Sequence, residues 1–130
     1  MAENRHPLEV DGRLTLDELR ALATIQDGPH LRFQPPYQLM SVSLDEAEFL
    51  YALVRALKPR NVLELGSGLG LSGRFIAEAL PEHGWLLTVE PNADLADQAV
   101  YGLLQGAKAV VSPELNVSDT WPDLVYIDSG

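Results

Sequence analysis

Residues 62–70 read Val62-Leu63-Glu64-Leu65-Gly66-Ser67-Gly68-Leu69-Gly70, and Leu71-Ser72-Gly73-Arg74-Phe75-Ile76-Ala77-Glu78-Ala79-Leu80 follows at once. An apolar run carrying one acid leads into glycines at alternate positions, then into apolar spacing of helical period. The pattern predicts a strand, a tight turn and a helix. Glycine has no Cβ, so such a turn can take positive φ and a ligand can lie against the main chain. The first turn of the helix beyond it presents N–H groups that have no partner inside the helix. Glu64 makes the strand end acidic, which suits a ligand with cationic or hydroxyl groups better than a bare pyrophosphate.

Downstream the same alternation continues. Pro81-Glu82-His83-Gly84 reads as a turn and Trp85–Glu90 as a second strand. Asn92 or Asp94 caps a helix reaching about Leu104, with Gly106 after its end. Ala107–Val111 is a third strand, a loop with Pro113 and Pro122 follows, and Asp123–Ile127 is a fourth. Upstream, Thr15-x-x-Glu18 and Ser43-x-x-Glu46 are capping boxes that open two helices. The first is stopped by Asp27-Gly28-Pro29. The second runs to about Leu57, with Phe49, Leu50, Leu53, Val54 and Leu57 on its apolar side, and Lys58-Pro59-Arg60 breaks it. Residues 28–43 read as a loop, and the polar residues 1–13 are expected to be poorly ordered.

Apolar strands alternating with amphipathic helices predict an α/β fold with a parallel sheet and right-handed crossovers. The whole chain, 1–130, reads as a single domain. The fourth strand ends near the last residue. Its Val-, Tyr- and Ile-rich edge would stand open, which suggests either a truncated longer fold or a partner strand, such as a homodimer through that edge.

Composition removes several function classes. The net charge is −10, with nine Lys and Arg against nineteen Asp and Glu, so nucleic acid and anionic membrane surfaces are poor partners. There is no cysteine, which excludes disulfides, thiolate metal sites and thiol catalysis. No apolar run approaches the roughly 20 residues of a membrane span. The start, Met1–Pro7, lacks the basic and apolar regions of a signal peptide, so a cytoplasmic location is expected.

In open α/β sheets, ligands bind beyond the carboxyl ends of the strands, where the strand order reverses. Gly66, Gly68 and Gly70 follow the first strand, Glu90 ends the second, Ser112 follows the third and Asp128 ends the fourth. Their shared edge points to a ligand that carries a nucleoside. A dinucleotide frame, Gly68-Leu69-Gly70-Leu71-Ser72-Gly73, is also present and raises a nicotinamide-dependent oxidoreductase as an alternative. Counted from Gly66, the glycine that should close the strand turn, that spacing fails at Leu71.

Each position also has a plainer reading. The glycines would permit close strand–helix packing, Glu64 would be a solvated strand end, and Glu90 would help Asn92 cap a helix. Ser72 would be an ordinary first-turn residue, and Asp128 a charge at the end of the chain. His6, His30 and His83 lack metal-ligand spacing, and Trp85 and Trp121 read as packing residues.

Taken together, Glu64-Leu65-Gly66-Ser67-Gly68-Leu69-Gly70, Val89-Glu90-Pro91-Asn92 and Pro122-Asp123-Leu124-Val125-Tyr126-Ile127-Asp128 resemble the ordered motifs of class I S-adenosylmethionine-dependent methyltransferases. With Met40-Ser41-Val42 and Ser72, the chain is similar to the catechol and caffeoyl-CoA O-methyltransferase type over residues 38–130. The resemblance implies a Rossmann-like sheet of strand order 3-2-1-4, preceded by two helices and lacking the later strands. It implies transfer of a methyl group from S-adenosylmethionine to an oxygen of a small molecule.

By the same resemblance, Gly66, Gly68 and Gly70 would carry the methionine part of the cofactor, with Glu64 near its ammonium. Ser72, Met40 and Val42 would hold the carboxylate end, Glu90 the ribose hydroxyls, and Ser112 would lie near the adenine. Asp128 corresponds to the first metal-binding carboxylate of members that use magnesium to orient a catechol-like diol. The lysine that follows that carboxylate in those members is absent here, as are the later Asp and Asn ligands. A truncated cofactor-binding or interaction module without turnover is therefore the second hypothesis.

Overall fold

The computed structural model describes residues 14–26, 43–116 and 122–127. The expectations for residues 1–13, Met40, Val42, His6, His30, Trp121 and Asp128 fall outside these residues.

Two helices precede the sheet. Helix α1 spans Leu16–Gln26. Its start is a reciprocal capping box: Thr15 N–H donates to Glu18 Oε1 at 2.8 Å, and Glu18 N–H donates to Thr15 Oγ1 at 3.1 Å. Helix α2 spans Leu44–Leu57 and is capped by Ser43, whose Oγ accepts the Glu46 N–H at 3.1 Å. Such a cap contributes about 1 kcal/mol. The Glu46 carboxylate reaches across to the Tyr126 hydroxyl at 2.5 Å and ties α2 to the fourth strand. Helix α2 ends at Lys58, which takes φ 53° and ψ 48° and returns its N–H to Val54. Its buried face carries Ala47, Leu50, Tyr51 and Val54. Phe49 and Leu57, expected on that face, are exposed. Tyr51 takes the inward position because the helix is rotated toward its 47/50/51/54 stripe.

The sheet then alternates with helices. Strand β1 is Asn61–Leu65, helix α3 is Leu71–Ala79, strand β2 is Trp85–Val89 and helix α4 is Ala93–Tyr101. Strands β3, Ala109–Ser112, and β4, Leu124–Ile127, complete a parallel sheet of order β3-β2-β1-β4. This is the expected order. Glu64 sits opposite Thr88 on one side and Tyr126 on the other.

Several boundaries differ from expectation, and β2 stops at Val89, one residue before Glu90. Helix α4 stops at Tyr101 rather than near Leu104, because the Gly102 and Leu104 N–H groups both turn back to the Ala99 carbonyl. Strand β3 begins two residues late, since Ala107 closes the preceding turn through Leu104. Asp123 precedes β4: its Oδ2 accepts the N–H groups of Arg60 and Asn61 and anchors the start of β4 against β1.

Alternation along each strand separates two faces. Val62, Glu64, Leu86 and Thr88 share the face under α3 and are buried. Gly73 of α3 allows this close approach: a Cβ there would lie 3.1 Å from Glu64 Oε1 and 3.3 Å from Leu86 Cδ2. Phe75, Ile76 and Leu80 fill the core between the sheet and α2. The opposite face bears Trp85, Val110, Val125 and Ile127, each about half exposed or more. Trp85 therefore does not do the packing its sequence context suggested. Among the described residues, no helix is long and apolar enough to cross a membrane.

Candidate functional site

The carboxyl ends of β1 and β2 bring the candidate residues together. The loop after β1 takes positive φ at Gly66 (98°), Gly68 (54°) and Gly70 (95°). These are left-handed conformations, which side chains with a Cβ disfavour. The loop hangs from the end of β2. Gly66 and Ser67 N–H groups donate to the Val89 carbonyl at 2.9 and 3.2 Å, and Gly68 N–H donates to Glu90 Oε1 at 2.9 Å. Gly70 closes it by donating to Ser67 O at 3.0 Å and then caps α3.

The packing reading of the glycines holds at one position of the loop. Gly70 is buried against α4, and a Cβ there would meet Leu104 Cγ at 3.0 Å and Ala99 Cβ at 3.3 Å. Tight packing and the positive φ together favour a glycine at Gly70. Gly66 and Gly68 are partly exposed and form the open part of the loop.

Glu90 follows β2 and is nearly buried. Besides Gly68, it accepts the Asn92 N–H on Oε2 at 3.1 Å, while Asn92 Oδ1 caps α4 through Asp94 and Leu95. Glu90 thus ties the glycine loop to the start of α4. A carboxylate has about four lone-pair positions, so two backbone donors leave room for hydroxyls. Glu90 N–H donates to the Ser112 carbonyl at 2.8 Å, which brings Ser112 to the same edge. The Ser112 hydroxyl is turned into its own loop, donating to Glu114 O at 2.7 Å.

Glu64 differs from its plainer reading, because it is not solvated: its exposure is 0%. It accepts the Thr88 hydroxyl on Oε1 at 2.6 Å and the Ser72 hydroxyl on Oε2. Burial of an acid is tolerated when donors meet its oxygens. The side chains of Glu64 and Ser72 therefore lie below the loop in this structure, and the Ser72 hydroxyl is engaged by Glu64. Thr88 and Ser67, buried with them, were not singled out in the sequence. Their signal is tertiary: Thr88 shares the Glu64 face only once the β1–β2 register is known.

Among the described residues, no group of three or more His, Asp or Glu side chains could hold a metal ion. The Asp128 expectation lies outside those residues.

A parallel sheet of order β3-β2-β1-β4 with a glycine loop after β1 and an acid after β2 defines a Rossmann-like domain. Comparison with known proteins narrows the class. The chain belongs to the O-methyltransferase family, whose profile matches residues 13–124. It is 31% identical to a catechol O-methyltransferase of Niastella koreensis over 102 residues, covering 69% of this chain and 46% of that one. It is 34% identical over 59 residues to caffeoyl-CoA O-methyltransferase 2 of Petunia hybrida, covering 45% of this chain and 24% of that one. The chain thus spans less than half the length of these curated relatives. Among solved structures, it resembles the O-methyltransferase TomG of Streptomyces achromogenes, crystallised with S-adenosylmethionine, at a TM-score of 0.62 and 25% identity. That match covers 88% of this chain and 52% of TomG. Family membership sets aside the dinucleotide frame at Gly68–Gly73, whose last glycine serves the packing of α3 on β1 and β2.

Proposed function

We propose that this chain is the cofactor-binding part of an S-adenosylmethionine-dependent O-methyltransferase acting on a small molecule. The observation that carries the reading is the pairing of the positive-φ loop Gly66–Gly70 with Glu90 across one hydrogen bond, Gly68 N–H to Glu90 Oε1. A backbone groove thereby meets an acid with acceptor capacity for ribose hydroxyls. TomG, a family relative, binds S-adenosylmethionine.

When bound, the cofactor supplies an electrophilic methyl group on a sulfonium. The residues of this chain bind and orient it. Gly66 and Gly68 admit the methionine portion against the main chain. The first turn of α3, with the N–H groups of Leu71, Ser72 and Gly73, faces the carboxylate with its positive dipole end. Glu90 accepts the ribose hydroxyls, and the Ser112 backbone borders the base. Met40 and Val42 are proposed to complete the carboxylate end. Orientation of this kind accelerates displacement at carbon by fixing the approach of the acceptor oxygen. The described residues do not form a divalent-cation site, so no step is assigned to a metal, and Asp128 remains an expectation of the resemblance.

The test is a transfer assay with S-adenosylmethionine labelled in its methyl group and a panel of catechols and simple phenols. It is run on the chain alone and on the longest natural protein that contains it. Labelled ether product from either supports the reading. Binding without product from both leaves a cofactor-binding module, the second hypothesis.

A further inference from the structure

Beneath the glycine loop, four polar side chains form one network inside the core. Thr88 Oγ1 donates to Glu64 Oε1 at 2.6 Å, and Ser72 Oγ donates to Glu64 Oε2. Ser67 Oγ lies 2.5 Å from Thr88 Oγ1. A threonine hydroxyl has a single proton. Thr88 gives that proton to Glu64, so the bond between the two hydroxyls runs from Ser67 to Thr88. The network is therefore directed: Ser67 to Thr88 to Glu64, met from the other side by Ser72. None of the four is more than 3% exposed.

Packing alone does not account for this arrangement. Valine has nearly the shape of threonine and would fill the Thr88 position without a polar group to satisfy. Buried networks are costly unless complete, and when complete they hold a unique geometry. Here the geometry held is that of the loop. Ser67 lies between Gly66 and Gly68, and Ser72 lies in the first turn of α3. Both ends of the loop are thus tied to one carboxylate on β1, with Thr88 on β2 as the link.

We infer that Thr88 and Ser67 are positioning residues that hold the Gly66–Gly70 loop in its ligand-accepting conformation through Glu64. The inference rests on the reading of that loop as the S-adenosylmethionine site. It predicts a dependence on the Thr88 hydroxyl, separate from its methyl group.

The test compares wild type with Thr88→Val, Thr88→Ser and Ser67→Ala. Amide hydrogen exchange is read across residues 66–72, and affinity for S-adenosylhomocysteine is read by calorimetry. Thr88→Val is expected to speed exchange of the loop amides and to weaken binding at least about tenfold, since its hydroxyl makes two buried hydrogen bonds. Thr88→Ser, which keeps the hydroxyl, is expected to restore both toward wild type. Loop exchange and affinity unchanged in Thr88→Val would overturn the inference. So would Thr88→Ser impaired as badly as Thr88→Val, since the methyl group would then be what matters. Should Thr88→Val not fold, Ser67→Ala decides by the same exchange measurement, because it removes only the outer hydroxyl. Should wild type bind no S-adenosylhomocysteine, the cofactor reading fails, and the exchange comparison alone still decides the role of Thr88.

Discussion

Gly70→Ala offers a sharp test of how the loop is built, with Gly106→Ala as its control. Both glycines take positive φ, 95° and 77°. An alanine at either pays the left-handed penalty of about 1–2 kcal/mol. The surroundings differ. A Cβ at Gly106 meets nothing within 4 Å, whereas at Gly70 it meets Leu104 Cγ at 3.0 Å and Ala99 Cβ at 3.3 Å. Leu104 is buried, and the atom met is its branch point rather than a mobile tip. Overpacking of this kind costs about 1–3 kcal/mol more. Gly70→Ala is therefore expected to lose about 2–5 kcal/mol, the sum of the two effects, and Gly106→Ala about 1–2 kcal/mol, the first effect alone. Urea unfolding with linear extrapolation measures both, provided that the transitions are two-state. Leu104→Ala in the Gly70→Ala background should recover part of the extra loss, a coupling that a double-mutant cycle isolates. Equal losses in the two single variants, or no coupling to Leu104, would refute the close contact between the loop and the turn after α4.

Two further perturbations follow from buried and exposed charge. Arg74 Nη2 lies 2.9 Å from Glu78 Oε2, with both side chains nearly buried, while Arg74 Nη1 donates to the Leu103 and Gln105 carbonyls. Arg74→Met leaves the nearly buried Glu78 carboxylate without its counter-charge, holding only the N–H of Leu14, and uncaps the turn after α4, so unfolding should show a loss of about 3 kcal/mol. Glu48 is different: the hydrogen bond from Arg20 holds its carboxyl below the ordinary value of 4.5, although burial opposes the shift. A lowered folded pKa stabilises above the unfolded value and fades as pH falls through the folded one. The difference in melting temperature between wild type and Glu48→Gln should therefore be full at neutral pH and shrink below 4.5. A difference that grows on acidification would contradict the assignment.

The parts of the fold that are local were legible in the chain. Gly66, Gly68 and Gly70 announce a left-handed turn because few other residues tolerate one, and Thr15 with Glu18 announces a helix start because the box is self-contained. The strand order follows from the alternation of elements together with the resemblance, and the sheet has that order. What depends on distant contacts was not legible. Helix α4 looks longer in sequence than it is, since the turn beyond it is drawn to Arg74 on another helix. Phe49 and Leu57 fit a helical stripe as well as Tyr51 does, and only the docking of α2 chooses among them. Glu64 was recognisable as special but not as buried, because its partners Thr88 and Ser72 come from other elements. Glu90 does the helix-start work of its plainer reading, since it accepts the backbone N–H of Asn92, which caps α4, and it also holds the loop.

The most direct measurement is a calorimetric titration of the chain with S-adenosylhomocysteine, run beside Glu90→Ala and with NAD as control. Saturable binding to the wild type and none to NAD are expected. Glu90→Ala should weaken binding at least about tenfold, the effect of removing hydrogen bonds to a charged acceptor. A folded wild type that takes up no S-adenosylhomocysteine, or a Glu90→Ala variant that binds it as tightly as wild type, would contradict the site at the ends of β1 and β2.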